Sequence, residues 1–221
     1  MTRFLLAASA CVSVMVAQGA TGQGADVLLN CSTCHTVGSG SSMDAATQRV
    51  PSPYPNLNGQ PVRYLERQLE AYRTGLRQHP QMQATATALG DGSAAMARMY
   101  ADAAPPKLAL QGDVSAYLEA QKLIAEGDWS RSLPSCASCH GINEEDRARL
   151  APRLHGHPEG YLARQLRAYA DGTRQSDTMG RMRSFASRLT DAEIAALAAY
   201  YAAWRVEGAG STDENEDQPD G

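Results

Sequence analysis

Beyond its first twenty residues the chain has no apolar run long enough to cross a bilayer. Stretches rich in Val, Ile or Thr are scarce, and Phe and Trp occur only twice each. Ala, Leu, Arg, Gln and Glu recur instead, which favours a mainly helical fold. An excess of positive charge is also missing. Twenty Lys and Arg face 24 Asp and Glu, for a formal net charge of -4. A nucleic-acid partner calls for a basic face, so that class of function is disfavoured. Cysteine is sparse as well, with five in 221 residues, and its placement carries the most information in the chain.

The beginning of the chain reads as an address. Arg3 precedes an apolar run from Phe4 to Ala17 broken only by Ser9 and Ser13, and Gly19 and Ala20 are small residues suited to cleavage. Residues 1–20 are therefore expected to be a signal peptide, removed on export; an uncleaved anchor is the competing reading. Cys11 would leave with it, because Ala8 stands where a lipid-attachment signal would need a larger apolar residue. At the other end, residues 209–221 carry Asp213, Glu214, Glu216, Asp217 and Asp220 with nothing apolar to bury. They are expected to form a disordered acidic tail.

The other four cysteines form two copies of one pattern, Cys31-Ser-Thr-Cys34-His35 and Cys136-Ala-Ser-Cys139-His140. C-x-x-C-H is the attachment signature of c-type haem. Two intervening residues let both thiols reach the two vinyl groups on one porphyrin edge, and the adjacent imidazole falls beneath the iron. Two disulfides, a zinc site or a thioredoxin-like pair would each use the cysteines. None gives a reason for a His directly after the second Cys, twice.

The repetition extends further. Pro61 to Gln78 matches Pro158 to Gln175 at eleven of 18 positions. Each copy opens on Pro and closes near Gly, as a helix does. Val62, Leu65, Leu69, Tyr72 and Leu76 fall on one helical stripe in the first copy, and Leu162, Leu166 and Tyr169 in the second. In both, C-x-x-C-H is followed by a Pro-x-Leu turn (Pro55-Asn-Leu57, Pro152-Arg-Leu154), this helix, and a Met. The chain is thus read as two duplicated all-α domains, 21–104 and 105–208, divided at Ala104-Pro105-Pro106-Lys107, where two prolines stop a helix. Residues 108–126 are expected to be a helix leading into the second motif. Thr190-Asp-Ala-Glu193 is a capping box for a closing helix with Ile194, Leu197, Tyr201 and Trp204 on one face, ending at Gly208. Its counterpart around Ser93 to Tyr100 is more weakly marked and is expected to be shorter.

A carrier iron with one His needs a second axial ligand, and a soft Met thioether is the usual one. Met82 lies nine residues before Asp91, and Met182 nine residues before Asp191. That shared offset selects Met82 and Met182, although counting from Gln78 and Gln175 would align Met179 with Met82. Met96 and Met99 suit the core, and Met43 has no counterpart. His79, close to Met82, is the strongest rival ligand; His155 and His157 stand in for Asn58 and Gln60 and are expected at the surface or a pocket rim. The other ring nitrogen of each proximal His needs an acceptor, and a carbonyl of each Pro-x-Leu turn could serve.

This arrangement resembles the dihaem cytochrome c4 family and the related single-domain cytochromes of the c553 type. The resemblance rests on the two C-x-x-C-H motifs, Asn56-Leu57-Asn58-Gly59-Gln60 and Arg153-Leu154-His155-Gly156-His157, the Tyr-Leu-x-Arg-Gln-Leu helices, the two Met residues, and the final Leu-Thr-Asp and Ala-Ala-Tyr-Tyr201. It spans roughly residues 24 to 205 and is better in the second half, because the segment between His35 and Pro61 is eight residues longer than its counterpart. It implies two tandem class I cytochrome c domains, each with one covalently bound haem c, in a periplasmic electron carrier rather than an enzyme. Implied partners are a quinol-oxidising complex and a terminal oxidase, with peripheral membrane association compatible. A second reading is the dihaem electron-accepting subunit of a periplasmic dehydrogenase. A third, a dihaem peroxidase, needs an open iron position, which the Met pair opposes.

Overall fold

The computed structural model describes residues 31, 32, 34, 35, 53–141 and 151–206. The leader with Cys11, Met43, most of the longer segment after His35, and the acidic tail lie outside the described residues.

Among the described residues the first half contains α1 (Val62–Arg73), α2 (Pro80–Leu89) and α3 (Ser93–Asp102), besides the helical turn at the first C-x-x-C-H motif. The second half contains α4 (Leu118–Ala125), the single turn α5 (Ala137–His140), α6 (Glu159–Ala170), α7 (Arg181–Ala186) and α8 (Asp191–Ala202). The repeated segment forms α1 and α6, each preceded by its proline in an extended conformation. α1 packs against α2 and α3; α6 packs against α7 and α8, and α4 against α8. Each repeat helix ends the same way. Gly75 and Gly172 both adopt φ +77°, which costs glycine little. The chain then turns back, so that the Arg77 N–H donates to the Ala71 carbonyl and the Arg174 N–H to the Ala168 carbonyl. Both arginine side chains are thereby thrown toward the opposite half.

Several sequence expectations are corrected. Residues 108–126 are not one helix: Leu108–Leu110 is strand β1, and only Leu118–Ala125 is α-helical. β1 pairs antiparallel with β2 (Trp204–Val206), placing Leu108 opposite Val206. Gly112, at φ +86°, turns the chain out of this ladder. The closing helix stops at Ala202, before Gly208, and Trp204 belongs to β2. Leu76 lies beyond the end of α1 and is exposed; α1 instead buries Tyr64, Leu65, Gln68, Ala71 and Tyr72. The closing helix of the first half is shorter, as its weak capping implied: α3 has ten residues and no side-chain cap, against twelve in α8.

Each half has its own core. Tyr64, Leu65, Ala97 and Tyr100 form the first, with Met96 and Met99 packed against it. Leu123, Leu133, Leu162, Leu197, Tyr200 and Tyr201 are among the residues of the larger second core. Gly127 (φ +73°) sits where a Cβ would come 2.4 Å from the Leu133 carbonyl oxygen, so glycine there lets the chain fold tightly back toward the second C-x-x-C-H motif.

The capping box of α8 is fully formed: the Glu193 N–H donates to Thr190 Oγ1 at 3.2 Å, and the Thr190 N–H donates to Glu193 Oε2 at 2.8 Å. Arg131 joins it, reaching Glu193 Oε1 at 2.6 Å and Asp128 Oδ2 at 2.7 Å. Thr190→Ala is expected to cost about 1 kcal/mol in denaturant unfolding. The Arg131 guanidinium, against the opposing effect of burial and with help from Thr190, holds the Glu193 carboxyl down at about 2. Because the folded value lies below the unfolded one, this contribution is present above the ordinary glutamate range and is lost as pH falls through it toward 2.

Candidate cofactor-binding site

Both C-x-x-C-H segments lie on one helical turn. The His35 N–H donates to the Cys31 carbonyl at 2.7 Å, and the His140 N–H to the Cys136 carbonyl at 2.9 Å. Cysteines three apart on a helix share a face, and the His one step further turns beneath it. His35 Nδ1–H donates to the Pro55 carbonyl and His140 Nδ1–H to the Pro152 carbonyl, both at 2.8 Å. The acceptors are the Pro-x-Leu carbonyls that the sequence suggested. Each bond fixes ring orientation and tautomer and leaves Nε2 as the coordinating nitrogen. Burial pushes both imidazoles below their usual basicity, with the proline carbonyls acting in opposition. They are therefore neutral near pH 7, the form that binds a metal. Burial also raises the Cys136 thiol to about 11 and the Cys31 thiol in the same direction. The four cysteines form no disulfide.

Both motifs open onto one cavity of about 520 Å³, whose wall also includes Met82 and Met182. Met82 stands in the first turn of α2, and Met182 in that of α7. Met179 is 83% exposed, at φ +58° in the 3-10 turn Thr178–Gly180. That turn takes up the three residues by which the two counting schemes differ. His79 caps α2, its Nδ1 accepting the Met82 N–H at 3.4 Å. His155 is half-buried: it packs edge-on against Tyr201 and Trp204, with ring centroids 4.9 and 4.8 Å away, and burial holds it down at about 4. His157 is buried in the cavity wall, where its Nδ1–H donates to the Leu154 carbonyl at 3.1 Å.

The residues that sequence reading passed over lie between the halves. Gln60 and Arg153 exchange two bonds, Gln60 Nε2 donating to the Arg153 carbonyl at 3.0 Å and the Arg153 N–H to Gln60 Oε1 at 2.9 Å. Gln68, Gln165, Arg77 and Arg174 form a second, buried connection. The signal was present: all four are identities of the repeat, and polar identities inside an otherwise apolar stripe ask for a partner.

Comparison with known proteins decides the family. A family model described as cytochrome c matches residues 117–202. The thiosulfate dehydrogenase electron acceptor of Stutzerimonas stutzeri (strain A1501) is 34% identical, over 85% of this chain and 88% of that one. Cytochrome c4 of Thiocapsa roseopersicina is 32% identical, over 66% and 77%. The crystal structure of reduced recombinant cytochrome c4 from Pseudomonas stutzeri superposes with a TM-score of 0.65 at 25% identity, over 82% and 97%. The chain belongs to the dihaem cytochrome c4 family. It is a tandem of class I cytochrome c domains that carries two covalently bound haem c groups and transfers electrons. The residues of this cytochrome fit that cofactor: two thiols and a neutral, carbonyl-oriented imidazole occur twice on one largely apolar cavity. No helix among the described residues is long and apolar enough to cross a membrane.

Proposed function

We propose that this cytochrome is the periplasmic electron acceptor of a thiosulfate-oxidising dehydrogenase, in which His35 and Met82 would hold one haem iron and His140 and Met182 the other. The domains are 21–104 and 105–208, exported by the leader 1–20 and followed by the acidic segment 209–221. One observation carries the ligand assignment: these two thioethers line the same cavity as the two imidazoles, each from the first turn of the helix that follows its repeat helix, whereas Met96, which also lines the cavity, comes from a later helix. Haem c supplies a one-electron iron couple at each site. The chain positions the two thioethers on helices, keeps the imidazoles neutral by burial while the Pro55 and Pro152 carbonyls orient them, and lines the site with Leu57, Leu65, Leu162 and Leu197. Rigid ligands in an apolar wall keep structural change small when the charge at the iron changes.

The donor assignment is supported by the thiosulfate dehydrogenase electron acceptor of Stutzerimonas stutzeri, matched over most of both chains. A second reading, a shuttle from a quinol-oxidising complex to a terminal oxidase, is supported by the cytochrome c4 relatives. Purified oxidised protein mixed with a thiosulfate dehydrogenase from the same host is expected to be reduced on addition of thiosulfate, at both haems. Reduction only by the quinol-oxidising complex would select the second reading.

A further inference from the structure

The segment that joins the halves is packed against both of them. Pro105 and Leu108, three residues apart, each lie against a glycine that closes one Pro-x-Leu turn. A Cβ at Gly59 would come 2.7 Å from Pro105 Cβ, and one at Gly156 would come 2.9 Å from Leu108 Cδ1. Both distances are shorter than packed side chains allow. Each position therefore takes glycine for room as well as for its backbone, at φ +67° and +77°. Gly59 and Gly156 are equivalent residues of the repeat, and each is held alike by its closing helix. The Gly59 N–H donates to the Tyr100 carbonyl and the Gly156 N–H to the Tyr201 carbonyl, both at 2.9 Å.

The linker is suited to keep that position. Pro105 and Pro106 fix φ at two successive residues, and Pro105 and Leu108 are both half-buried. Leu108 opens β1 and is paired with Val206 of β2. The Trp204 carbonyl of the same ladder would lie 3.4 Å from a Cβ at Gly156. Three residues span at most about 10 Å, so one short segment braces both turns. Those turns carry the Pro55 and Pro152 carbonyls that accept the Nδ1–H bonds of His35 and His140. Each carbonyl lies four residues before its glycine.

We propose that Pro105 and Leu108 are positioning residues for the two haem sites. By bracing the Gly59 and Gly156 turns, the linker sets the strength of each imidazole–carbonyl bond and with it the potential of each iron. The inference rests on proximal ligation by His35 and His140. A strong Nδ1–H···O=C bond makes the imidazole more basic, and a more basic donor favours ferric iron. A turn that drifts away weakens the bond and raises the potential. Because one segment braces both turns, it governs the difference between the two potentials, and hence on which haem an electron rests. Neither Pro105 nor Leu108 belongs to the cavity wall, so they act only through the turns.

Leu108→Ala, Gly156→Ala and the double variant are compared with the wild type as intact dihaem proteins, after haem content per chain is checked. The readouts are redox titration and the His140 Nδ1–H proton resonance of the reduced state. The second haem is identified as the one missing from His140→Ala, which tests the ligation separately. Each single variant should raise the second potential and shift that resonance, leaving the first haem and His35 as they are. In the double variant the new Cβ takes the place of the lost leucine methyls. Both readouts should then return toward the wild type, although alanine at φ +77° keeps its backbone strain and stability does not recover. Gly59→Ala, which displaces Pro105, should move the first haem alone. Lowered stability with wild-type potentials and resonances in both single variants would overturn the proposal and leave the linker a tether. Shifts of the two single variants that merely add in the double would overturn it as well. If Gly156→Ala fails to load haem, Leu108→Ala decides: an unchanged second potential sinks the proposal.

Discussion

Met182→Ala is expected to lower the midpoint potential of one haem by on the order of 0.1 V or more, and Met179→Ala to leave both potentials where they are. A thioether is a soft ligand that favours ferrous iron, so removing it stabilises the ferric state. The two methionines are three residues apart, and the chain separates them completely. Met182 stands in the first turn of α7 in the cavity wall. Met179 sits in the left-handed turn before it, pointing into water. Met82→Ala should act in the same way at the other iron. Met99, packed against the first core, serves as a control: its replacement should lower stability and leave potentials in place. Redox titration with optical detection reads all of these. A drop on replacing Met179 with none on replacing Met182 would reassign the ligand.

The cysteines, the repeat and the capping box were legible because each is a local signal. C-x-x-C-H needs only one helical turn to bring its groups together, and Thr190 and Glu193 bond each other across three residues. The Pro55 and Pro152 carbonyls could be anticipated because the same turn follows each motif. What escaped sequence reading depends on distant partners. Leu108–Leu110 has no strand pattern of its own length, and it becomes β1 only because Trp204–Val206 returns beside it. The same return removes Trp204 from the helical stripe. Leu76 fits the period of α1 on paper, yet Gly75 has already ended the helix. His155 stood at a position whose counterpart is the polar Asn58, and only the tertiary packing sets its ring against Tyr201 and Trp204. Arg77 and Arg174 were visible as repeated residues without a role. Only the packing of one half on the other shows that each guanidinium serves both.

Replacing either proximal histidine should empty one site and spare the other. His140→Ala removes the imidazole at the end of α5 and the bond to the Pro152 carbonyl, while the first motif keeps His35, its Pro55 acceptor and its own core of Tyr64, Leu65, Ala97 and Tyr100. Haem content is therefore expected to fall from two per chain to one, with the remaining haem showing an unperturbed His/Met spectrum; His35→Ala should give the converse. Cys139→Ser is a gentler version of the same experiment. It leaves the histidine and one thioether, so the haem should stay attached with one vinyl group still conjugated, and its pyridine haemochrome band should move to longer wavelength. The independence of the sites follows from each half's having its own core, ligand turn and orienting carbonyl. A single substitution that costs both haems would mean that the halves mature as one unit, and the reading of two duplicated domains would fail with it.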